Sequence, residues 1–189
     1  MKLLVLYASP RKQGYSARFL DEAIRGYQEA HPNAEVHKVY LNDLNMKGCQ
    51  HCSACKTDDP SFTMCILPDD LQPVLKLILE CDAVLWGIPN YMADYNAQAK
   101  ILIDRYYGYM KKDFSSRLPE KQKSGVIMVQ GNPEVETYKD VEAFLVGFFG
   151  QRGRRPSFGL TIGGCRGADG SSAPAEELAK AFDLGKKLA

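Results

Sequence analysis

A chain of 189 residues, 45% hydrophobic and 25% charged, can bury a substantial core without a metal or a disulfide to hold it. Its net charge of +1 gives no electrostatic reason to expect nucleic acid or a membrane surface as a partner. No run reaches the ~18 consecutive apolar residues of a membrane span. The opening MKLLVLYASPRK lacks the cleavage pattern of a secretory leader, so a cytoplasmic protein with reduced cysteines is expected. In chain order, residues 3–7 (LLVLY) read as a buried strand. Residues 16–30 are apolar at 19, 20, 23, 24 and 27, a helical spacing. Residues 35–41 alternate apolar and polar, as a strand near a sheet edge does. Residues 71–80 read as a helix with Pro73 in its first turn, 83–88 as a buried strand and 97–109 as a helix. Residues 125–130, 137–149, 157–162 and 174–188 continue as strand, helix, strand and helix. Five strands alternating with five helices predict one domain. Its fold class is α/β, a flavodoxin-like three-layer sandwich whose five-stranded parallel sheet has the order 2-1-3-4-5.

In such a sheet ligands bind at the carboxyl ends of the strands, near the point where strand order reverses. The loop after the first strand, ASPRKQGYSA, offers the hydroxyls of Ser9 and Ser16, the charges of Arg11 and Lys12, and a close backbone approach at Gly14. With a helix starting about Ser16, these are the parts of an anion site. The plain alternative is that Ser16 only caps the helix. Neither G-x-x-x-x-G-K-[ST] nor G-x-G-x-x-G is present, so one terminal phosphate suits the loop better than a triphosphate or a dinucleotide. After the third strand comes IPNYMADYNAQAK. Pro89 stiffens the turn, and the backbone at Asn90, Tyr91 and Met92 is free to meet a planar ring that Tyr91 or Met92 could cover. A simple connection with an exposed aromatic residue is the alternative. QGNPE at 130–134, beginning Gln130–Gly131, could close the pocket from a third side. A phosphate cradle beside a ring-sized cleft suits flavin mononucleotide (FMN).

Four of the six cysteines fall in CQHCSACKTDDPSFTMC, residues 49–65. Thiolates at C-x2-C-x2-C spacing can converge on one cluster or ion. Cys49, Cys52, Cys55 and Cys65 would make the four-cysteine complement of a [4Fe–4S] centre. Zinc accepts the same donors, and an unligated loop is the third possibility. Cys81 reads as structural and Cys165 as a spectator thiol near the ligand edge. Arg152, Arg154 and Arg155 form the one basic cluster, read either as a solvated loop or as a site for a diffusing substrate's phosphate.

SPRKQGYSA resembles the phosphate loop of the flavodoxin-like NADPH-dependent FMN reductases. GIPNYMADYNAQAKILIDR resembles the isoalloxazine loop and following helix of that superfamily. The cysteine block followed by Asp69–Asp70–Leu71 resembles its iron–sulfur flavoprotein branch, although nine residues here separate the third and fourth cysteines, more than in the relatives. The resemblance implies that Ser9, Arg11, Gly14, Ser16 and Ala17 hold the FMN phosphate. It implies that Pro89, Asn90, Tyr91, Met92 and Ala93 meet the flavin ring, mainly through backbone. It leaves Asp104 and Arg105 as a helix-end or subunit-contact pair, and implies a homodimer or homotetramer. Tyr106, Tyr107 and Tyr109 suit an interface or the core.

The sequence is therefore read as an FMN-dependent oxidoreductase that takes electrons from NAD(P)H and passes them to flavin, quinone or another small acceptor. No acid–base residue is assigned, because flavin reduction by a nicotinamide needs none. An electron carrier serving a ferredoxin-like partner through the cysteine site is the alternative within this frame. A zinc-binding or thiol-sensing regulatory module is the alternative outside it.

Overall fold

The computed structural model describes residues 1–57, 59, 64–151, 154–167 and 169–189. Strands β1 (Lys2–Tyr7), β2 (Glu35–Tyr40) and β3 (Ala83–Tyr91) are followed by a two-residue strand β4 (Asp94–Tyr95), then β5 (Lys123–Val129) and β6 (Ser157–Ile162). Five of them pair in parallel in the order β2-β1-β3-β5-β6, which is the expected 2-1-3-4-5 arrangement. The addition is β4, which folds back antiparallel on the end of β3.

The LLVLY run shows why the sheet sits between two helical layers. Leu4 and Leu6 pack into one core cluster, while Leu3, Val5 and Tyr7 pack into the other. A strand apolar on both faces needs cover on both faces. Helices α1 (Tyr15–Ala30) and α5 (Ala175–Leu188) cover one side; α2 (Leu71–Glu80), α3 (Ala97–Arg105) and α4 (Lys139–Phe149) cover the other. α1 and α5 touch backbone to backbone, because a Cβ on Gly26 would strike the carbonyl of Phe182 and one on Gly185 that of Ala23. Among the described residues no helix is long and apolar enough to cross a membrane.

Three details depart from the sequence expectations. The helix expected over 97–109 tightens after Arg105 into a 3-10 turn, Tyr106–Tyr109. There Tyr109 is buried with its hydroxyl donating to Leu75 O at 2.7 Å, and Tyr106 packs among Trp86, Phe148 and Phe149, so both tyrosines belong to the core. The helix expected over 137–149 begins as a 3-10 turn, Val135–Tyr138. Arg155 is neither solvated nor free for a phosphate. It is buried and donates to Gln122 Oε1 at 3.1 Å and Phe149 O at 2.6 Å. Arg154 is exposed, and Arg152 and Gly153 lie outside the described residues.

Candidate functional site

β1 and β3 lie side by side while the chain leaves them toward opposite edges of the sheet, and their carboxyl ends open on a cavity of about 180 Å³. Ser9, Arg11, Gly14, Tyr15 and Ser16 line it from the loop after β1. Pro89, Asn90 and Tyr91 line it from β3, and Val129, Gly131 and Cys165 from the ends of β5 and β6. Eight of these eleven come from two loops that the sequence singles out, and a third loop adds Gly131. Ser9 and Ser16 are buried polar residues. Ser16 is not a cap: Gly14 is the N-cap of α1 and no side-chain hydrogen bond closes that end. The first-turn amides therefore keep their donors and the helix keeps its positive end at the cavity, the arrangement that attracts an anion.

Other assigned residues stand differently. The guanidinium of Arg11 donates to the carbonyl of Gly167, and Lys12 pairs with Asp43 at 2.5 Å, so both cations are engaged by protein partners. Ala17 is buried in the core under the loop. Gln130 is buried, its amide donating to Asn132 O at 3.1 Å and Glu134 O at 3.0 Å, so it braces its own turn. Neither residue lines the cavity. The loop after β1 is itself held from the far end of the chain: Gly170 N donates to Gln13 O at 2.8 Å, and the Tyr15 and Ser172 hydroxyls lie 2.6 Å apart.

On the ring side, β3 outruns β1. Its last β1 partner is Gly87, whose carbonyl accepts from Ala8 N, so Pro89 faces the same side two residues on, where that neighbour has ended, and its missing N–H costs the sheet no ladder bond. Tyr91 and Asp94 close a hairpin whose two turn residues, Met92 and Ala93, both have positive φ, 52° and 67°. That pair of angles is the signature of a type I′ turn, normally built from Asn-Gly, so two ordinary side chains are held in a costly conformation at the ligand edge. Met92 is 99% exposed as a result. Asn90 is half-buried with its Nδ2 lacking a partner among the described residues. Asn96, which the sequence did not flag, ties the start of α3 to the end of β1 through Nδ2 to Ala8 O at 2.8 Å. Cys165 is also on the cavity wall; burial pushes its thiol up to about 11, so it stands there protonated.

The residues on this cavity fit FMN. An uncapped helix N-terminus with two buried hydroxyls suits a phosphate, and an unpartnered buried amide donor beside β3 suits a ring that carries acceptors.

The cysteine loop forms a second place of interest. Cys49, Cys52, Cys55 and Cys65 border one small cavity of about 20 Å³, together with Arg105, Tyr107 and Gly108. The loop is pinned where it begins and ends: Asn45 N donates to Asp70 Oδ2 at 2.7 Å and Asp70 N to Asn45 O at 3.2 Å. Lys56 lies 3.6 Å over the Tyr107 ring and donates to Tyr107 O at 2.6 Å, and Arg117 donates to Thr57 O at 2.7 Å. Gly108 has no room for a side chain because the Met64 carbonyl sits against it. The deepest contact is an ion pair the sequence left as a helix-end or subunit feature. Arg105 grips Asp69, not Asp104, through Nη1 at 2.8 Å and Nη2 at 3.2 Å, both side chains being 1% exposed. Burial alone would raise the Asp69 carboxyl, but hydrogen bonds from Arg105 and from the Lys47 and Leu71 amides outweigh it and hold the group below the usual carboxylate range. Asp104 pairs instead with Lys100.

Among the described residues no three side chains of His, Cys, Asp or Glu stand close enough together to hold a metal ion. The four thiols nevertheless suit a four-thiolate group in kind, since they share one cavity, and a buried donor, Arg105 Nε, makes no hydrogen bond of normal geometry among the described residues while its guanidinium lies beside the Cys65 thiol.

The family model described as NADPH-dependent FMN reductase matches residues 1–131. An iron-sulfur flavoprotein of Archaeoglobus fulgidus is 31% identical over 109 residues, 58% of this chain and 47% of that protein. An iron-sulfur flavoprotein of Methanosarcina thermophila is 27% identical over 115 residues, 61% of this chain and 57% of its own. The chain thus spans about half the length of the curated relatives it matches. Among solved structures, an NAD(P)H:quinone oxidoreductase from Methanothermobacter marburgensis superposes with a TM-score of 0.74 at 20% identity, covering 100% of this chain and 99% of that one. An FMN-dependent NADH-azoreductase from Bacillus anthracis, in complex with FMN, superposes with a TM-score of 0.66 at 15% identity, covering 99% and 97%.

Proposed function

The chain belongs to the NADPH-dependent FMN reductase family, and from that premise we propose that it is an FMN-dependent oxidoreductase, taking electrons from NAD(P)H and delivering them to flavin, quinone or another small acceptor. The observation that carries this reading is the cavity between β1 and β3, where an uncapped helix N-terminus and two buried serines face an extended strand end across one space. Ser9, Ser16 and the first-turn amides of α1 hold the phosphate. Pro89, Asn90 and Tyr91 flank the ring, with Asn90 Nδ2 as a donor to it, and Gly131 and Cys165 close the wall between. Bound FMN supplies hydride acceptance and the release of electrons singly or in pairs. The protein's own work is to hold that ring with one face open, because the described residues form only one mononucleotide site. Donor and acceptor therefore use the open face in turn. The exposed Met92 and Tyr91 border the ring and are the side chains a second ring would brush past. The protein acts in the cytoplasm as a homodimer or homotetramer.

The test has two steps. Titration of the flavin-free chain with FMN and FAD, read by quenching of flavin fluorescence, is expected to favour FMN. Rapid mixing with NADPH and with NADH is then expected to bleach the bound flavin. If neither nicotinamide does so and a reduced ferredoxin does, the second reading replaces the first: an electron carrier working through the cysteine pocket. That second reading is favoured by one feature, the four cysteines around a single cavity.

A further inference from the structure

Arg105 sits at the mouth of the cysteine loop and touches both of its flanks. Nη1 donates to Lys47 O at 2.9 Å, two residues before Cys49, and the guanidinium grips Asp69, four residues after Cys65. The Asp69 carboxylate accepts from Lys47 N at 2.9 Å as well, so the two flanks and α3 are locked together at one point. Because Asp69 engages the two terminal nitrogens end-on, Nε–H is left over. It is buried and makes no hydrogen bond of normal geometry among the described residues, although the Cys65 thiol lies beside the guanidinium, and the side chain lines the cavity that the four cysteines border. A buried donor left unmade costs about 1–3 kcal/mol, and a buried ion pair is no better for stability than an apolar pair of the same volume. A helix-end clasp needs neither feature. A site for sulfur needs the donor.

We propose that Arg105 is a positioning residue for the cysteine pocket, its Nε–H donating to a cysteine sulfur when the pocket holds a four-thiolate group. The fork with Asp69 neutralises the far end of the guanidinium and fixes its plane, so what the pocket meets is one oriented donor rather than a mobile charge. A hydrogen bond to a ligating sulfur withdraws electron density from it, favours the thiolate over the thiol, and makes a redox-active group easier to reduce. The inference rests on the reading that the pocket binds metal.

The full chain, purified without oxygen, is titrated with Co(II), whose thiolate charge-transfer absorption reports on the sulfurs themselves. Two variants are compared with it. Arg105→Lys keeps an ion pair with Asp69 and removes the Nε–H. Arg105→Gln combined with Asp69→Asn replaces the pair by two neutral amides that can still bond to each other. FMN affinity, set by other loops, monitors the fold. Unaltered protein is expected to bind one Co(II) per chain. Both variants are expected to bind it roughly tenfold to a hundredfold more weakly with a shifted charge-transfer band, while FMN affinity stays within about twofold. After reconstitution with iron and sulfide, the midpoint potential of either variant is expected to be more negative. If Co(II) affinity, band position and potential are unchanged, Arg105 is a structural clasp and the inference falls, with the metal pocket left standing. If the unaltered chain takes up neither cobalt nor iron, the metal reading falls and takes this inference with it. Should the double variant lose FMN, Arg105→Lys decides by the same readings.

Discussion

Ser16 lies in the first turn of α1, buried, on the wall of the cavity. Ser16→Asp would set a carboxylate against a bound phosphate, and FMN affinity should fall at least tenfold, about 1.4 kcal/mol, in a fluorescence titration. An unchanged dissociation constant would remove the phosphate from this loop. Asp69 makes a prediction in pH. Its folded-state carboxyl lies below the usual range, so its stabilisation is complete above the unfolded value of about 3.9 and is lost as pH falls through the folded value. Urea unfolding at stepped pH should show stability declining below about pH 4. In Asp69→Asn that part of the slope should vanish, at a cost of about 3–5 kcal/mol at neutral pH because Arg105 is left buried and unpaired. A variant with the parent's acid slope would exclude Asp69 as its source. Both residues were visible in the sequence to different degrees. Ser16 could be found because local chain order places it at a helix start. Arg105 could not be paired correctly, because Asp69 is 36 positions away and only the packing of α3 against the cysteine loop brings them together. Cys165 reads as a spectator until the β5–β6 pairing sets it beside the ends of β3 and β5.

At the scale of elements, the alternation of strands and helices was legible because most strands carry an apolar run and β2 alternates apolar with polar residues, and the sheet order is the one common to five-stranded doubly wound sheets. The hairpin of β3 and β4 was not. Its turn is Met92–Ala93 where the recognisable signal is Asn-Gly, so nothing local announces left-handed backbone. The same fact supplies a test. Ala93→Gly removes a side chain from φ 67° and should raise stability by about 1 kcal/mol in denaturant unfolding. A loss of stability instead would mean that the Ala93 methyl makes a contact worth more than the strain. The shortening of the helix expected over 97–109 likewise has no local cause. Gly108 is pressed against the Met64 carbonyl, and the final turn tightens to a 3-10 pitch beside that contact.

Across the whole molecule the loop after β1 is braced by residues more than 150 positions away: Arg11 against Gly167, Gln13 against Gly170 and Tyr15 against Ser172. Tyr15→Phe and Ser172→Ala should each weaken FMN binding several-fold, about 1 kcal/mol for one hydrogen bond, and the double variant should be no worse than either single. Fully additive losses would show that the two hydroxyls act apart. The region matched by the family model ends at residue 131, short of every one of these braces. The stretch that the family model matches is thus not self-contained. A chimera that exchanged everything after that point for a cousin's tail would inherit Ser9, Gly14 and Ser16 unchanged and still leave their loop unsupported. Recombination among such genes should tolerate crossovers only where the two segments travel together, so a loop and its distant prop are expected to diverge as one unit.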